Sequence, residues 1–323
     1  MGTLTYTYPR PQRFRRKDNP PGYALNDRKI GLLRALARDR FLTSEQLAEI
    51  DGGSHQKALR LLRLLYDHGF IDRPPAQRFE LAAHENRPLV YSLAHAGARI
   101  LAQLDGASLR DYNWTTKAKA RTAKTIVHAI HVADTMAAFA KSIHTRAFRL
   151  IDHQQLLPEF PESTRNGPKG SSPFALRVEI GEPGLERRSL TVVPDRLFSV
   201  HAGKRFHFAL EQDEGTMPVR RWRNRNKRLL SFDDTSIARK LVTYDAAWQQ
   251  DLHLTRWGFR QFRVLFVTTN RRRIDEMLDA VQFITDGKGT RFFAFTDLAT
   301  LLASDPLDPI WINGKRETTS LLD

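Results

Sequence analysis

The stretch from Asn26 to Leu104 constrains the fold most, because its apolar residues change period in a set order. Ile30, Leu32, Leu33 and Leu36 recur at helical spacing behind Asn26 and Asp27, either of which can cap a helix running to about Arg40. Thr43-Ser44-Glu45 opens a second, short helix through Leu47 and Ile50, and Asp51-Gly52-Gly53 turns the chain. Ser54 can cap a third helix, His55 to His68, which stops at Gly69. Two strand-like runs follow, Phe70–Arg73 and Arg87–Tyr91, with a polar loop between them. A fourth helix covers Leu93 to Leu104.

On the third helix Ala58, Leu61, Leu62 and Leu65 form an inner stripe. Lys57, Arg60 and Arg63, spaced by three, share an outer flank. The order of elements, and the phrases LTSEQLAEI, LRLLYDHGFIDR and YSLAHAGARIL, resemble the winged helix-turn-helix family. That resemblance implies a helix lying in the major groove of double-stranded DNA, with His55 and Gln56 near base edges and Lys57, Arg60 and Arg63 on phosphates. Arg73, Arg78 and Arg87 would sit on or beside the wing. The competing reading of these cations is a solvated face.

The bulk numbers agree with a polyanion partner. The 323 residues carry a formal net charge of +15, and 41% are hydrophobic. That is a globular, strongly basic composition, long enough for about two domains. No cysteine is present, which excludes disulfide scaffolds, zinc fingers and thiol nucleophiles and fits a reducing cytoplasm. The Pro- and Arg-rich start, residues 1–22, reads as a flexible basic arm and not a signal peptide, because no apolar run follows its charges. No stretch reaches the length of a membrane span, so no membrane partner is expected.

From Lys117 the pattern changes. Lys119 to His144 reads as one long helix, with Ile126, Ile130, Val132, Met136, Phe139 and Ile143 inward. Strand-like runs follow at Phe174–Ile180, Leu190–Val200 and Phe206–Asp213, then a helix from about Asp234 to Gln250. Phe262–Thr269 reads as a buried strand, Ile274–Thr285 as a helix and Arg291–Thr296 as a last strand. Pro194-Asp195 lies on one strand and Glu211-x-Asp213 on the next. The series resembles the restriction-endonuclease-like PD-(D/E)xK superfamily. The resemblance implies Mg²⁺ or Mn²⁺ held by Asp195, Glu211 and Asp213 against a scissile phosphate, with a lysine orienting the attacking water. One departure stands out: the lysine expected two residues after Glu211 is Asp213. Lys240, four residues before Tyr244 on the following helix, would replace it as a Lys-x-x-x-Tyr variant. Asp134 and Glu214 are spare carboxylates.

The densest charge run, Arg220-Arg221-Trp222-Arg223-Asn224-Arg225-Asn226-Lys227-Arg228, falls between the Glu-x-Asp strand and the Lys240 helix. Its cations would bind phosphates, and Trp222 would stack on an unpaired base. Arg271-Arg272-Arg273 is balanced between phosphate contact and a solvated helix start. There is no Gly-Lys-Ser/Thr phosphate loop, no Gly-x-Ser-x-Gly elbow and no His-hydrophobe-His pair.

The whole pattern, from Asn26 to Thr296, resembles the replication-relaxation family of plasmids and other mobile elements, a group related to MobC-type mobilisation relaxases. The expected class is α+β: a basic arm (1–22), a winged helix-turn-helix domain (23–112), a PD-(D/E)xK-like domain (116–305) and a C-terminal tail (306–323). Two functions remain open. One is a metal-dependent nickase at an origin of replication or transfer. The other is a non-catalytic origin-binding or regulatory protein with a degenerate nuclease fold. Partners would be double-stranded DNA, locally single-stranded at a nick, a second copy of the chain, and other mobilisation or replication proteins.

Overall fold

A computed structural model describes residues 13–20, 22–78, 88–112, 122–168, 171–181, 187–223 and 230–323. The chain is mixed α+β and divides into two units, Met1–Ala133 and Asp134–Asp323. The division falls inside the longest helix, Ala123–Thr145, and not in the polar link expected near Asp105–Thr116. The reason is packing. Ile126, Ala129 and Ile130 on the first half of that helix cluster with Phe41 and Val90 of the first unit.

In the first unit, helix α1 (Asp27–Asp39) starts at Asn26, whose side chain accepts from the Lys29 backbone N–H. Strand β1 (Phe41–Thr43) was not anticipated, since three wholly buried residues are too few to show a period. Thr43 then caps helix α2 (Ser44–Asp51) through a reciprocal box with Gln46, and Gly52 ends it in the left-handed region. Helix α3 (His55–Asp67) buries Ala58, Leu62 and Leu65, while Leu61 is half-buried. Strands β2 (Ile71–Asp72) and β3 (Val90–Leu93) complete an antiparallel sheet in the order β1-β3-β2, and helix α4 (His95–Asp105) follows. Leu33, Leu36, Leu47, Leu62 and Leu101 are wholly buried in one cluster. Each contributes about 1.5–3 kcal/mol by leaving water.

The start of the chain corrects one expectation. Residues 13–18 are tied down, not free. The Arg15 carbonyl accepts from Arg63 at 3.0 Å, Asp67 accepts from the Lys17 N–H at 3.0 Å, and Arg16 donates to the carbonyls of Tyr66 and Ile71. The rest of the expected arm, 1–12 and 21, lies outside the described residues.

The second unit is built on a seven-stranded sheet, ordered β12-β11-β10-β9-β8-β7-β4. After helix α5 (Ala123–Thr145), β4 (Arg149–Ile151) pairs antiparallel with β7 (Arg196–Ala202), which pairs antiparallel with β8 (Lys204–Gln212). Helix α6 (Ile237–Gln249) crosses over to β9 (Arg263–Thr268), parallel to β8. Helix α7 (Arg271–Ile284) crosses to β10 (Phe293–Asp297), parallel to β9. The central strand β9 buries Val264 through Thr268 without a break, as a parallel strand covered on both faces must.

The run Leu190–Val200, expected as one strand, is two. Strand β6 (Arg188–Val192) pairs only with β5 (Leu176–Ile180) in a separate two-stranded sheet, while β7 joins the main one. The break falls at Val193-Pro194-Asp195, since proline has no N–H for a ladder. Residues 306–323, expected as a tail, instead carry β11 (Trp311–Asn313) and β12 (Thr318–Thr319). Trp311 is wholly buried and its indole N–H donates to the Pro306 carbonyl at 2.9 Å.

Two glycines in helices of the first unit should respond oppositely to the same change. A Cβ on Gly97 would collide with the Phe70 carbonyl oxygen and lie 2.8 Å from Leu93 Cδ1, whereas one on exposed Gly31 meets nothing within 4 Å. Gly97→Ala should destabilise by about 1–3 kcal/mol, and Gly31→Ala should stabilise by about 0.5–1 kcal/mol. Chemical denaturation of both variants checks this.

Candidate functional site

The site is organised by the last residues of β8. Strand alternation and pairing with β9 bring Glu211, Gln212 and Asp213 to the carboxyl ends of the parallel strands. There they are 1%, 5% and 5% exposed. Buried charges are retained only where partners replace water. Glu211 accepts from Lys240 Nζ through Oε2 at 2.5 Å and from the Tyr244 hydroxyl through Oε1 at 2.5 Å. Lys240 and Tyr244 reach it together because they lie one turn apart on α6, the crossover helix between β8 and β9. Asp195, one residue before β7, accepts from the Gln212 N–H through Oδ2 at 2.9 Å. Gln212 in turn accepts from Thr135 of α5 at 3.3 Å.

Asp213 is held by a different cation. Arg273, in the first turn of α7, donates to it twice, at 2.9 and 3.1 Å, and also to the Met217 carbonyl; Thr268 adds a hydroxyl at 2.7 Å. A two-pronged guanidinium–carboxylate pair is among the stronger ion contacts.

Burial opposes the charge on Lys240, but Glu211, Asp195 and Asp213 together outweigh it and hold the ammonium above its ordinary pKa. Burial pushes the Glu211 carboxyl up, with Lys240 pulling against it. Burial, and then the Glu211 charge, raise the Tyr244 phenol well above its ordinary range. Tyr244 is therefore a neutral donor that positions Glu211, and it is neither exposed nor ionisable enough to attack a phosphate. Its place in the expected catalytic set becomes a positioning one.

The sequence grouped Asp195, Glu211, Asp213, Lys240 and Tyr244. The structure brings all five into one electrostatic neighbourhood, since Lys240 feels each of the three carboxylates. It also adds Arg273, which the pattern left evenly weighted. Three carboxylates thus face two cations. Among the described residues no group of three or more acidic or histidine side chains is arranged to hold a metal. Both oxygens of Glu211 and both of Asp213 already accept from the protein. Mg²⁺ or Mn²⁺ would have to displace Lys240 or Arg273, so the expected ion does not fit this arrangement. What Lys240 does face, with Arg239, Ser236, Thr243 and Thr191, is a cavity of about 150 Å³. With Thr235, which also lines it, two cations and four hydroxyls suit an anionic oxygen.

The cations expected to touch nucleic acid separate into two kinds. His55, Gln56, Lys57 and Arg60 on α3 are exposed, as is Arg78, whose guanidinium lies 4.8 Å from the Phe14 ring. Arg63 is partly spent on Asp67, at 2.8 Å. Arg73 is withdrawn altogether: it is 5% exposed, packs 4.1 Å from the Tyr66 ring centroid and donates to the Tyr91 hydroxyl at 3.1 Å and to the Arg13 carbonyl. It fastens the start of the chain and does not reach outward. The anchored start instead exposes Arg13, Arg15 and Lys17, which the reading of a loose arm left unassigned.

In the arginine run, Arg221 and Arg223 are exposed and Arg220 is half-buried. Trp222 meets Phe283 edge-on at 5.1 Å, lies under Arg220 at 5.3 Å and bridges to Leu230. Its half-buried ring is thus engaged on the protein by Phe283 and Arg220. Arg87, Arg225, Lys227 and Arg228 lie outside the described residues.

Removing Lys240 tests the pair. Lys240→Met strands the buried Glu211 carboxylate and should cost about 3–5 kcal/mol at neutral pH. The sign with pH follows: Glu211 without its cation takes up a proton as pH falls, so the deficit shrinks toward acid. In the unaltered protein the raised ammonium pKa keeps the lysine's part of the pair complete below 10.5, its ordinary value, and loses it only as pH rises beyond, while at the acid end the raised Glu211 carboxyl takes up its proton and the pair ends there. Urea melts of both proteins at several pH values measure this.

A family model described as replication-relaxation matches residues 33–260. No curated protein and no solved structure matches the chain.

Proposed function

The chain belongs to the replication-relaxation family, and from that premise we propose that it recognises double-stranded DNA at an origin of replication or transfer on a plasmid or other mobile element. The observation that carries this is the exposed Gln56, Lys57 and Arg60 face of α3, set opposite a fully buried apolar stripe. In this reading the first unit is a winged helix: α2, the Gly52 turn and α3 form the helix-turn-helix, and the three-stranded sheet carries the wing. No described helix is long and apolar enough to cross a membrane.

The second unit is read as a nuclease-like scaffold, in which α5, β4, β7, β8, α6 and β9 follow one another on the main sheet and the β5–β6 pair is inserted between β4 and β7. Its centre grips phosphate and does not cut. Lys240 and Arg239 supply charge at the small cavity, and the Lys240–Glu211 and Arg273–Asp213 pairs supply the neutralisation that metal gives an active nuclease. The second reading, a nickase, is favoured by the fact that Lys240 feels Asp195, Glu211 and Asp213 together.

Relaxation of supercoiled plasmid in Mg²⁺ or Mn²⁺ decides between them. We expect none; relaxation that disappears in Asp195→Ala would install the nickase instead. For recognition, affinity for origin duplex should fall steeply with salt. Lys57→Ala with Arg60→Ala should weaken binding to all sequences and lower the salt slope by about two. Gln56→Ala should cost about 1–3 kcal/mol and relax preference at one base pair. Duplex binding that ignores salt, or no binding, overturns the proposal.

A further inference from the structure

The strands β8, β9 and β10 run parallel, so their amino ends come together at the edge of the unit away from Glu211. Phe206 precedes Glu211 by five residues, about 17 Å along an extended strand. At this end lies an open cavity of about 410 Å³. Its walls carry Phe206, Trp248 and Phe292, all half-buried and so keeping surface to offer. The Trp248 and Phe292 centroids are 5.1 Å apart, and Trp248 is stacked on His253 at 4.5 Å, which fixes the indole plane.

The rim is cationic. Lys204, Arg205, Arg263 and Arg291 line the cavity, against a single acidic side chain there, Asp323. Arg205 is paired with Glu159, and Arg291 with Glu317 at 3.1 Å, though the Arg291 side chain stays 66% exposed. Lys204 sits with its ammonium 4.7 Å from the Phe206 ring, beside the aromatic wall. Arg263 donates to the Ser320 carbonyl at 2.9 Å, and its burial leaves it a cation short of solvent. His207, pushed down to about 4 by burial and then by the Arg205 charge, is neutral at neutral pH. It adds hydrogen-bonding capacity to the wall and no further charge.

Aromatic surface beside cations is the chemistry that takes an unpaired base by stacking and its phosphate by charge. A paired base inside a duplex keeps both faces covered by its neighbours and has none to give. A cavity of this volume accepts one nucleotide. We propose that this cavity is a second nucleic-acid site, binding one unpaired nucleotide of single-stranded DNA, separate from the duplex-reading face of α3. The inference leans on the origin-binding reading only for the source of the strand. Such a site would hold an unpaired strand where duplex opens.

The test uses the full chain and a fluorescent twelve-residue oligothymidylate. Anisotropy should show binding, weakened at least tenfold by Lys204→Gln with Arg291→Gln, both surface changes that leave the core intact. The same double variant should bind origin duplex as the unaltered protein does, and Lys57→Ala with Arg60→Ala should show the reverse pattern. Photocrosslinking with 5-iododeoxyuridine in the strand should label the segments carrying Phe206, Trp248 or Phe292. Displacement of the oligomer by thymidine monophosphate assigns the cavity to a free or terminal nucleotide, and no displacement with the same crosslinks assigns it to an internal one; either supports the site. Undiminished binding by the Lys204–Arg291 variant, or crosslinks confined to residues 220–230, overturns it. Salt-dependent duplex binding without single-strand binding sinks this inference alone, and loss of both sinks the origin-binding reading as well.

Discussion

A carboxylate that is 1% exposed sits at the end of β8, beside the central strand, and much of the second unit is arranged around keeping it there. Glu211 would be prohibitively costly to bury alone. Its two oxygens are met by two side chains from one helix, one charged and one neutral. That requirement sets where α6 must cross the sheet and which of its faces turns inward. Leu241, Tyr244 and Ala247 on that helix are all wholly buried. The same logic recurs two residues on, where Asp213 draws Arg273 and so fixes the first turn of α7. Two crossover helices are each pinned to the sheet by one ion pair at its carboxyl end.

These pairs also change what the centre is for. A site that binds a divalent ion needs oxygens in excess of its cations, held open until the ion arrives. Here the two most buried carboxylates already face a lysine and an arginine. The small cavity beside them is lined by Arg239 and by the paired Lys240, next to hydroxyls. Membership of the replication-relaxation family places the chain among proteins described by replication and relaxation. On the proposed reading, this centre would grip phosphate within that role.

Much of this was legible in the sequence, and unevenly so. Helices α1, α2 and α3 were readable because their caps, Asn26, Thr43 and Gly52, punctuate a strong apolar period. Lys240 and Tyr244 were readable as partners because their spacing is one helical turn. Arg273 was not, because its approach to Asp213 depends on the register of β8 against β9, and no local pattern states a register between strands fifty residues apart. Arg73 misled for a related reason. A lone arginine after a strand looks like wing chemistry until Tyr66 and Tyr91 are known to flank it. Residues 306–323 read as a tail because β11 and β12 are three and two residues long, too short to alternate. The split of Leu190–Val200 was written in Pro194 and was outweighed by the β-branched and apolar residues on either side of it.

Those same short strands bear on self-association. The main sheet ends at one edge in β12, with two residues, and at the other in β4, with three. An edge is a template only in proportion to the unpaired N–H and C=O groups it presents. Both margins here are almost blank. A second copy would find little ladder to extend, so a pair of these chains on a two-fold DNA site would have to meet through side chains, and the sheet itself stays closed to runaway stacking.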